Sequence, residues 1–493
     1  MILLIVVIVV VVLLVLVVLV LLFGIGILFI IIGIEKSSRI AVDESPNMSL
    51  LLLLIVLLLI VFTSSSTSGG GGGTEIIKVY TKLSNKKGSR GNAITTDTNG
   101  SVYITGSIKN QTSTTDDDII LTKYSSKGKK IYTKIYGTNT PDVAKAIAYD
   151  NQYIYITGFT YGNLDEQKNM GGKDIFITKC NSHDGKTVWT KLIGTSGNEI
   201  GTAIAIDSNG IIWITGETNG DLGNQASYGE EDIVLLKITT DGNIDSILVI
   251  GSNGYDVGYG ITIDNQNSIF ITGYTTSNVF NDQQNTGGAD IFVIKYSSKG
   301  MYEWSKLIGT TGWDVGKDVV ADNEGSIYVC GSTRGPLNDE KNMGYDDIFL
   351  VKLTSFLGTI IFTKVIGSTA WDIGLSLALN SKADVFITGS TDGNLDNRGN
   401  AGGYGDIVLI KYSSSGKKRY SLLSGSSSDD KGTSITIDSN DNIYITGSVD
   451  GTIDGQLYTC DKQGDMFLMK YKELPSQLLS SSSFELSDIC TAT

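Results

Sequence analysis

Among the residue types that carry catalysis, histidine occurs once in 493 positions, at His183. It sits in Lys179-Cys-Asn-Ser-His-Asp-Gly-Lys-Thr-Val-Trp189, a polar stretch that reads as a turn. One histidine cannot make a histidine metal cluster, and any Ser-His or Cys-His nucleophile pair would have to run through His183 itself. Of the four cysteines, Cys330 replaces a Thr in an apolar strand and Cys180 ends another, as small buried residues do. Cys460 lies in a loop and Cys490 in the tail; they are candidates for a disulfide in an oxidising compartment, a connectivity that spacing alone does not fix.

Carboxylates recur in three registers. Asp97, Asp150, Asp207, Asp264, Asp322 and Asp438, with Asn380 in the sixth unit, are mostly followed by x-x-Gly or x-x-Asn, the pattern of a side chain that hydrogen-bonds its own turn. A second set, Asp118, Asp174, Asp232, Asp290, Asp347, Asp406 and Asp465, has a Lys five residues on and reads as scaffold, because a feature present in every unit serves the unit. The third lies eight residues before the first: Asp142, Glu199, Asp256, Asp314, Asp372 and Asp430, with Ser89 in the first unit. Acids that enter one strand of every unit would be gathered by symmetry into a ring at one mouth of an axial channel, where like charges need a cation, a lysine or water to offset them. These six are the candidate ligands of a divalent cation such as calcium; no other cofactor is indicated. The alternative is that each bonds nearby backbone N–H groups. Long loops rich in Asn, Asp and Gly supply further candidates for ligand contact, Asp165, Asp396 and Asp454, although their Asp-x-x-x-Asp stretches lack the ligand spacing of an EF-hand loop.

The elements that must position these residues are set by repetition. Variants of Ile-Tyr-Ile-Thr-Gly end at Gly106, Gly158, Gly216, Gly273, Gly331, Gly389 and Gly447, at intervals of 52, 58, 57, 58, 58 and 58 residues. A period of this size means units that bury their faces only by stacking on copies of themselves. In the third unit the strands are Trp189–Gly194, Gly201–Asp207, Ile211–Gly216 and Asp232–Lys237. Four strands in each of seven units suit a propeller and not a sandwich. Small residues alternate with large ones in the strand that contains Ala203 and Ala205, which belongs innermost, where blades converge. The strand after it has apolar residues on both faces, as in a sheet covered on both sides. The first recognisable strand, Val79–Leu83, matches the outermost strand of a blade, and the last unit lacks one. Residues 76–83 are therefore expected to complete the last blade and leave no free sheet edge.

The unit Gly-x-Ala-Ile-x-x-Asp-x-x-Gly, Tyr-Ile-Thr-Gly, Asp-Ile-Phe-x-x-Lys-Tyr, then Trp-x-Lys-x-Ile-Gly, resembles the SBBP-type β-propeller repeat over residues 76–471. The resemblance implies an all-β, seven-bladed propeller of four-stranded blades and a family found largely in extracytoplasmic proteins. The turn around His183 resembles the Asp-box of sialidase propellers at Ser182, Asp184 and Trp189, but its glycine stands at 185 where 186 is needed.

Before the repeats, residues 1–34 are uncharged and almost wholly Ile, Val and Leu, long enough to cross a bilayer. A second segment, 48–68, holds the apolar run Leu50–Phe62 followed by small polar residues, as in a signal peptide that starts at Met48. Either 1–34 is a membrane anchor or it lies upstream of the true start; both readings put the propeller outside the cytosol, secreted or membrane-anchored. Residues 69–75 read as a Gly-rich linker and 472–493 as a Ser-rich, disordered tail. The formal charge of −14, without a basic stripe, argues against a nucleic-acid partner. Basic turns such as Lys123–Lys130 fall opposite the acidic loops, so a dipolar domain is expected. The functional expectation is a non-enzymatic binding, adhesion or protein-interaction scaffold that takes a protein or glycan on its acidic, loop-rich face. The runner-up, an extracytoplasmic quinoprotein-like dehydrogenase or glycan-cleaving hydrolase, needs a blade-specific cluster of unlike polar residues, and only blade-periodic ones are visible. A purely structural coat protein is the third reading.

Overall fold

The computed structural model describes residues 75–110, 116–456, 458 and 464–474. The apolar segments 1–34 and 48–68, most of the linker, Cys460, Cys490 and the chain beyond 474 lie outside them. Among the described residues no helix is long and apolar enough to cross a membrane.

Seven antiparallel sheets of four strands each make up the ring of blades. Blade 3 runs outward through Glu199–Ile206, Ile212–Thr218, Asp232–Ile238 and Ile244–Ile250, and the other blades repeat this order. In blade 7 the outermost strand is Glu75–Leu83, paired with Asp465–Leu474 from Glu75 opposite Leu474 to Leu83 opposite Phe467. The N-terminal strand thus closes the ring as expected. The closing pair begins one residue earlier and ends three residues later than the 76–471 boundaries, so residues 472–474 are strand and not tail. Residues Cys180 and Cys330 are both fully buried free thiols.

The repeated sequence can now be read as contacts. In all seven blades the aromatic residue of the second strand lies under the lysine of the third. Lys123 stands 4.8 Å from the Tyr103 ring centroid, and Lys179 5.4 Å from Tyr155. The other pairs are Lys237 over Trp213, Lys295 over Phe270, Lys352 over Tyr328, Lys411 over Phe386 and Lys470 over Tyr444, at 4.8–5.6 Å. A cation over a ring face within about 6 Å is attracted by the ring quadrupole, more strongly when desolvated. Each of these ammonium groups has a further partner: Lys179 donates to the Thr240 carbonyl at 3.0 Å, Lys470 to that of Ser126 at 3.1 Å, and Lys411 pairs with Asp384 at 2.8 Å and Glu473 at 2.7 Å. The Lys179 and Lys470 partners lie in turns of the neighbouring blade, so the aromatic-lysine pair also fastens blade to blade.

The repeated glycine has a different cause from the one its strand-end position suggests. The second strand continues past it, to Thr160 in blade 2 and Thr218 in blade 3. Opposite the glycine the innermost strand carries a bulge: Gly201 pairs with Gly216 and Ala203 with Thr215, leaving Thr202 outside the ladder. The same irregularity occurs in every blade. The bulge pushes a carbonyl against the glycine, so a Cβ on Gly216 would lie 1.8 Å from the Ile200 oxygen, and one on Gly273 1.8 Å from that of Val257. Only glycine admits the bulge, and the bulge turns one residue per blade out of the ladder.

Candidate functional site

The six acids expected to form an axial ring are all buried, and each is committed within its own seam. Glu199 accepts from the Thr195 N–H at 2.7 Å, the Thr195 hydroxyl at 2.7 Å and the Thr218 hydroxyl at 2.9 Å. Asp314 repeats this with Thr310 N–H at 2.6 Å, its hydroxyl at 2.8 Å and Thr333. Asp142 bonds Thr138 and Thr160, Asp256 bonds Ser252, Asp372 bonds Ser368, and Asp430 bonds Ser426. The carboxylate closes the turn that brings the chain from one blade's outer strand into the next blade's inner strand. The donor hydrogens occupy carboxylate lone pairs that a cation would need. The expected ring at the mouth is therefore replaced by six separate clasps. Among the described residues no group of three or more His, Cys, Asp or Glu is placed to hold a metal ion.

The loop acids are also committed. Asp165, Asp396 and Asp454 sit at matching positions with positive φ, 46°, 53° and 49°, beside the buried Leu164, Leu395 and Ile453. Asp454 accepts from Thr81 Oγ1 at 2.5 Å and Lys78 Nζ at 2.8 Å. Asp396 accepts from Ser421 and Lys418, and Asp165 from Thr190. Each buckles its loop to the outer strand of its own blade. Asp396 additionally borders a cavity of about 610 Å³ lined by Ser368, Asn394, Asn397 and Asn400. The turn acids behave as expected: Asp207 accepts from the Asn209 and Ile211 N–H groups, both at 2.9 Å. His183 lies exposed in its turn.

What occupies the centre of the loop-rich face is set by the bulge. The residues it turns out of the ladder are Asn92, Lys145, Thr202, Tyr259, Lys317, Leu375 and Thr433. Three of them staple neighbouring blades: Asn92 donates to the Ala144 carbonyl at 2.7 Å, Thr202 to that of Gly258 at 2.5 Å and Thr433 to that of Gly91 at 2.6 Å. The lysines do not. Lys317 lies 3.8 Å from the Tyr259 ring centroid and Lys145 5.8 Å from that of Phe159. Two residues before the bulge, blades 1 and 7 present Arg90 and Lys431, which line a cavity of about 410 Å³ with Asn92, Thr433, Tyr404 and Asp450. None of Arg90, Lys145, Lys317 and Lys431 makes an ion pair or hydrogen bond among the described residues.

Blades 2, 5 and 7 are not neighbours, yet their axial lysines sense one another. Burial within the channel walls lowers Lys317 to about 8, and repulsion from Lys431 adds to this while Glu217 opposes it. Burial likewise lowers Lys145, with Glu217 opposing and Lys173 and Lys431 adding. The channel wets these ammonium groups while its walls displace much of the bulk water that would stabilise their charge. Beside them, burial lifts Glu217 to about 7, reinforced by Glu231 and opposed by Lys173, Lys145 and Lys317. The dipolar expectation is thus corrected: the loop-rich face has a cationic centre inside its acidic surroundings.

Around this centre runs an arc of exposed rings. Tyr255, Trp313 and Trp371 each precede the clasp acid of blades 4, 5 and 6, with Tyr228, Tyr345 and Tyr404 on adjoining loops. Tyr345 and Trp371 are 58% and 41% exposed yet stack in parallel, with centroids 5.3 Å apart and planes 4° apart. The Arg334 guanidinium lies 5.1 Å from the Trp371 centroid and is held by Asp346 through bonds of 2.7 and 3.2 Å. Sequence reasoning missed both features, because each uses positions where the repeats disagree.

Fold and face together define a closed seven-bladed propeller, a scaffold with its variable residues gathered at one end of the axis. The family model described as "SBBP: Beta-propeller repeat" matches residues 188–223, 246–281, 303–338 and 420–453, four repeats of the seven-bladed propeller. Over 280 residues it is 24% identical to an uncharacterized WD repeat-containing protein, L264, of Acanthamoeba polyphaga mimivirus, which covers 47% of this chain and 18% of that protein. It is also similar to the regulatory protein FlaEY of Caulobacter vibrioides, 26% identical over 407 residues, 72% of this chain and 41% of that one. The chain thus spans less than half the length of either relative. Among solved structures, the WD40 propeller domain of Doa1 is 10% identical, covers 82% of this chain and 98% of its own, and has a TM-score of 0.47.

Proposed function

We propose that this propeller is a non-enzymatic binding scaffold that works outside the cytosol and docks a partner protein on its loop-rich face. The observation that carries this reading is the Tyr345–Trp371 stack with Arg334 across it. Trp, Tyr and Arg dominate the energetics of protein interfaces, and rings already stacked before binding lose little conformational freedom on contact. The siting outside the cytosol rests on the apolar segments 1–34 and 48–68, and mass-spectrometric mapping of the mature N-terminus tests it.

Docking is tested by cross-linking the full chain to surface or secreted proteins of its source, with Trp371→Ala and Phe356→Ala compared. Phe356 is exposed in a turn at the opposite end of the axis and serves as the control. A specific partner lost with Trp371→Ala and kept with Phe356→Ala supports the reading. Equal recovery with both variants overturns it, and a glycan-array signal that depends on Trp371 moves the ligand to the glycan class.

A second reading has one observation in its favour. Glu217 lies near enough to Glu231, Lys145, Lys317 and Tyr259 for their charges to interact, which supports a blade-specific cluster of unlike groups of the kind an enzyme would need. A carboxyl held near neutrality among unlike groups is the setting of a general acid. Glycan turnover abolished by Glu217→Gln would favour the hydrolase reading over the scaffold.

A further inference from the structure

From the four axial cations we infer that the mouth of the central channel is an anion-binding site, taking a carboxylate or phosphate group on the propeller axis. Arg90, Lys145, Lys317 and Lys431 come from blades 1, 2, 5 and 7, and no acid occupies either inner-strand register from which they project. Surface lysines such as Lys127 and Lys299 also lack ion pairs among the described residues, but these four sit on the innermost strands, where bulk water is displaced. Every third-strand lysine has a carbonyl or carboxylate partner, as do Lys78, Lys130 and Lys364 nearer the surface. Four charges of one sign that face a common space cost free energy unless something of the opposite sign enters. The carboxylates nearest them are Glu217, Glu231 and Asp392, with Asp429, Asp430 and Asp450 lining the same cavity as Arg90 and Lys431; none makes an ion pair with the four cations among the described residues, which leaves the axis itself to a ligand.

The walls fit such a ligand. The cavity of about 410 Å³ beside Arg90 and Lys431 opens the mouth on one side. On the other, Tyr259 and Tyr274 lie 5.8 Å apart and Lys317 covers the Tyr259 face. Guanidinium and ammonium groups bind carboxylate and phosphate oxygens by charge-assisted hydrogen bonds, which are shorter and stronger than neutral ones. The site does not depend on the docking arc: it stands if the rim binds nothing, and the rim reading stands if the axis binds nothing.

The test is isothermal titration of the full chain with sodium phosphate and with sodium glucuronate, against sodium chloride at equal ionic strength. At least one of the two anions binds the native protein, and the double variant Lys317→Ala, Lys431→Ala weakens it by about tenfold or more. The exposed Lys299→Ala, at the opposite end of the axis, leaves it unchanged. Circular dichroism checks that the double variant is folded, and Lys317→Arg, which keeps the charge, retains binding. Phosphate alone assigns a phosphate ligand and glucuronate alone a carboxylate ligand such as an acidic sugar. Binding of neither above chloride, or equal binding by the double variant, overturns the site.

Discussion

The chain uses two populations of lysine in opposite ways. The seven third-strand lysines are present in every repeat, lie over an aromatic ring and each meet an oxygen partner. Lys145, Lys317 and Lys431 occur in three blades only and meet none. The first population carries the cost of burying a charge because its partners return it, and it holds the blades together. The second carries a cost that Glu217 and Asp392 offset only from a distance, without an ion pair or hydrogen bond among the described residues. Periodicity in this fold therefore marks the scaffold, and departures from it mark the face available to a ligand.

The largest test of that division concerns the closure of the ring. Deleting residues 75–83 removes a whole antiparallel ladder and the buried Leu83, and exposes the edge of Asp465–Leu474. Cooperative melting of the ring should be lost, as seen by calorimetry. A truncated chain that melted like the intact one would mean that the repeats do not act as one closed unit.

Next in size is a lysine of the repeated kind. Lys411 is buried between Asp384 and Glu473, so Lys411→Ala leaves two carboxylates without their shared cation. Breaking a buried pair from one side costs about 3 kcal/mol, and the loss should appear as a shifted denaturation midpoint at unchanged slope.

Much of this was legible in the sequence, for reasons that also explain what was not. Seven copies of one strand pattern averaged out the noise at each position, so strand count, innermost strand and closure could be read directly. The clasp acids were found, and their partners were also in view, since Thr195, Thr310 and Ser368 stand four residues before Glu199, Asp314 and Asp372. The reading went wrong in treating carboxylates at a common register as facing a common space, where each in fact faces its own turn. Lys145 and Lys317 were missed because the bulged position reads Asn, Lys, Thr, Tyr, Lys, Leu, Thr, which has no period, and Arg90 and Lys431 because the position two before it is Val or Ile in the other five blades. The bulge itself is a backbone event, and its only sequence trace is the glycine it requires on the next strand.

A smaller effect comes from the buried acids of the repeat. Burial raises Asp347 and Asp430 to about 6, against bonds from Met343 and Ser426 that lower them and repulsion from Asp372 and Asp406 that adds to the rise. The folded state then holds protons more tightly than the unfolded chain. The stability from each acid is complete below about pH 4 and is lost as the pH rises through about 6. The melting temperature should be higher at pH 4.5 than at pH 7.5, by roughly 3 °C. Asp347→Asn should flatten the profile; a profile that rises with pH would show that these carboxylates are held by stronger donors than the turns supply.

The smallest expected effect separates the two lysine populations most cleanly. Lys317 has no carboxylate or carbonyl partner, and its charge is opposed by Lys431 across the axis. Lys317→Ala removes that repulsion, along with a cation over Tyr259 that contributes about 0.5–2 kcal/mol. The two terms have opposite signs, so in chloride buffer the variant should unfold within about 0.5 kcal/mol of the native chain, the range of an ordinary surface substitution. Lys411→Ala, measured alongside, gives the scale. If Lys317→Ala cost as much as Lys411→Ala, the axial lysines would be part of the scaffold and the division by periodicity would fail. If it is neutral in chloride but removes stabilisation gained from phosphate or glucuronate, the charge is held at the axis for a ligand and not for the fold.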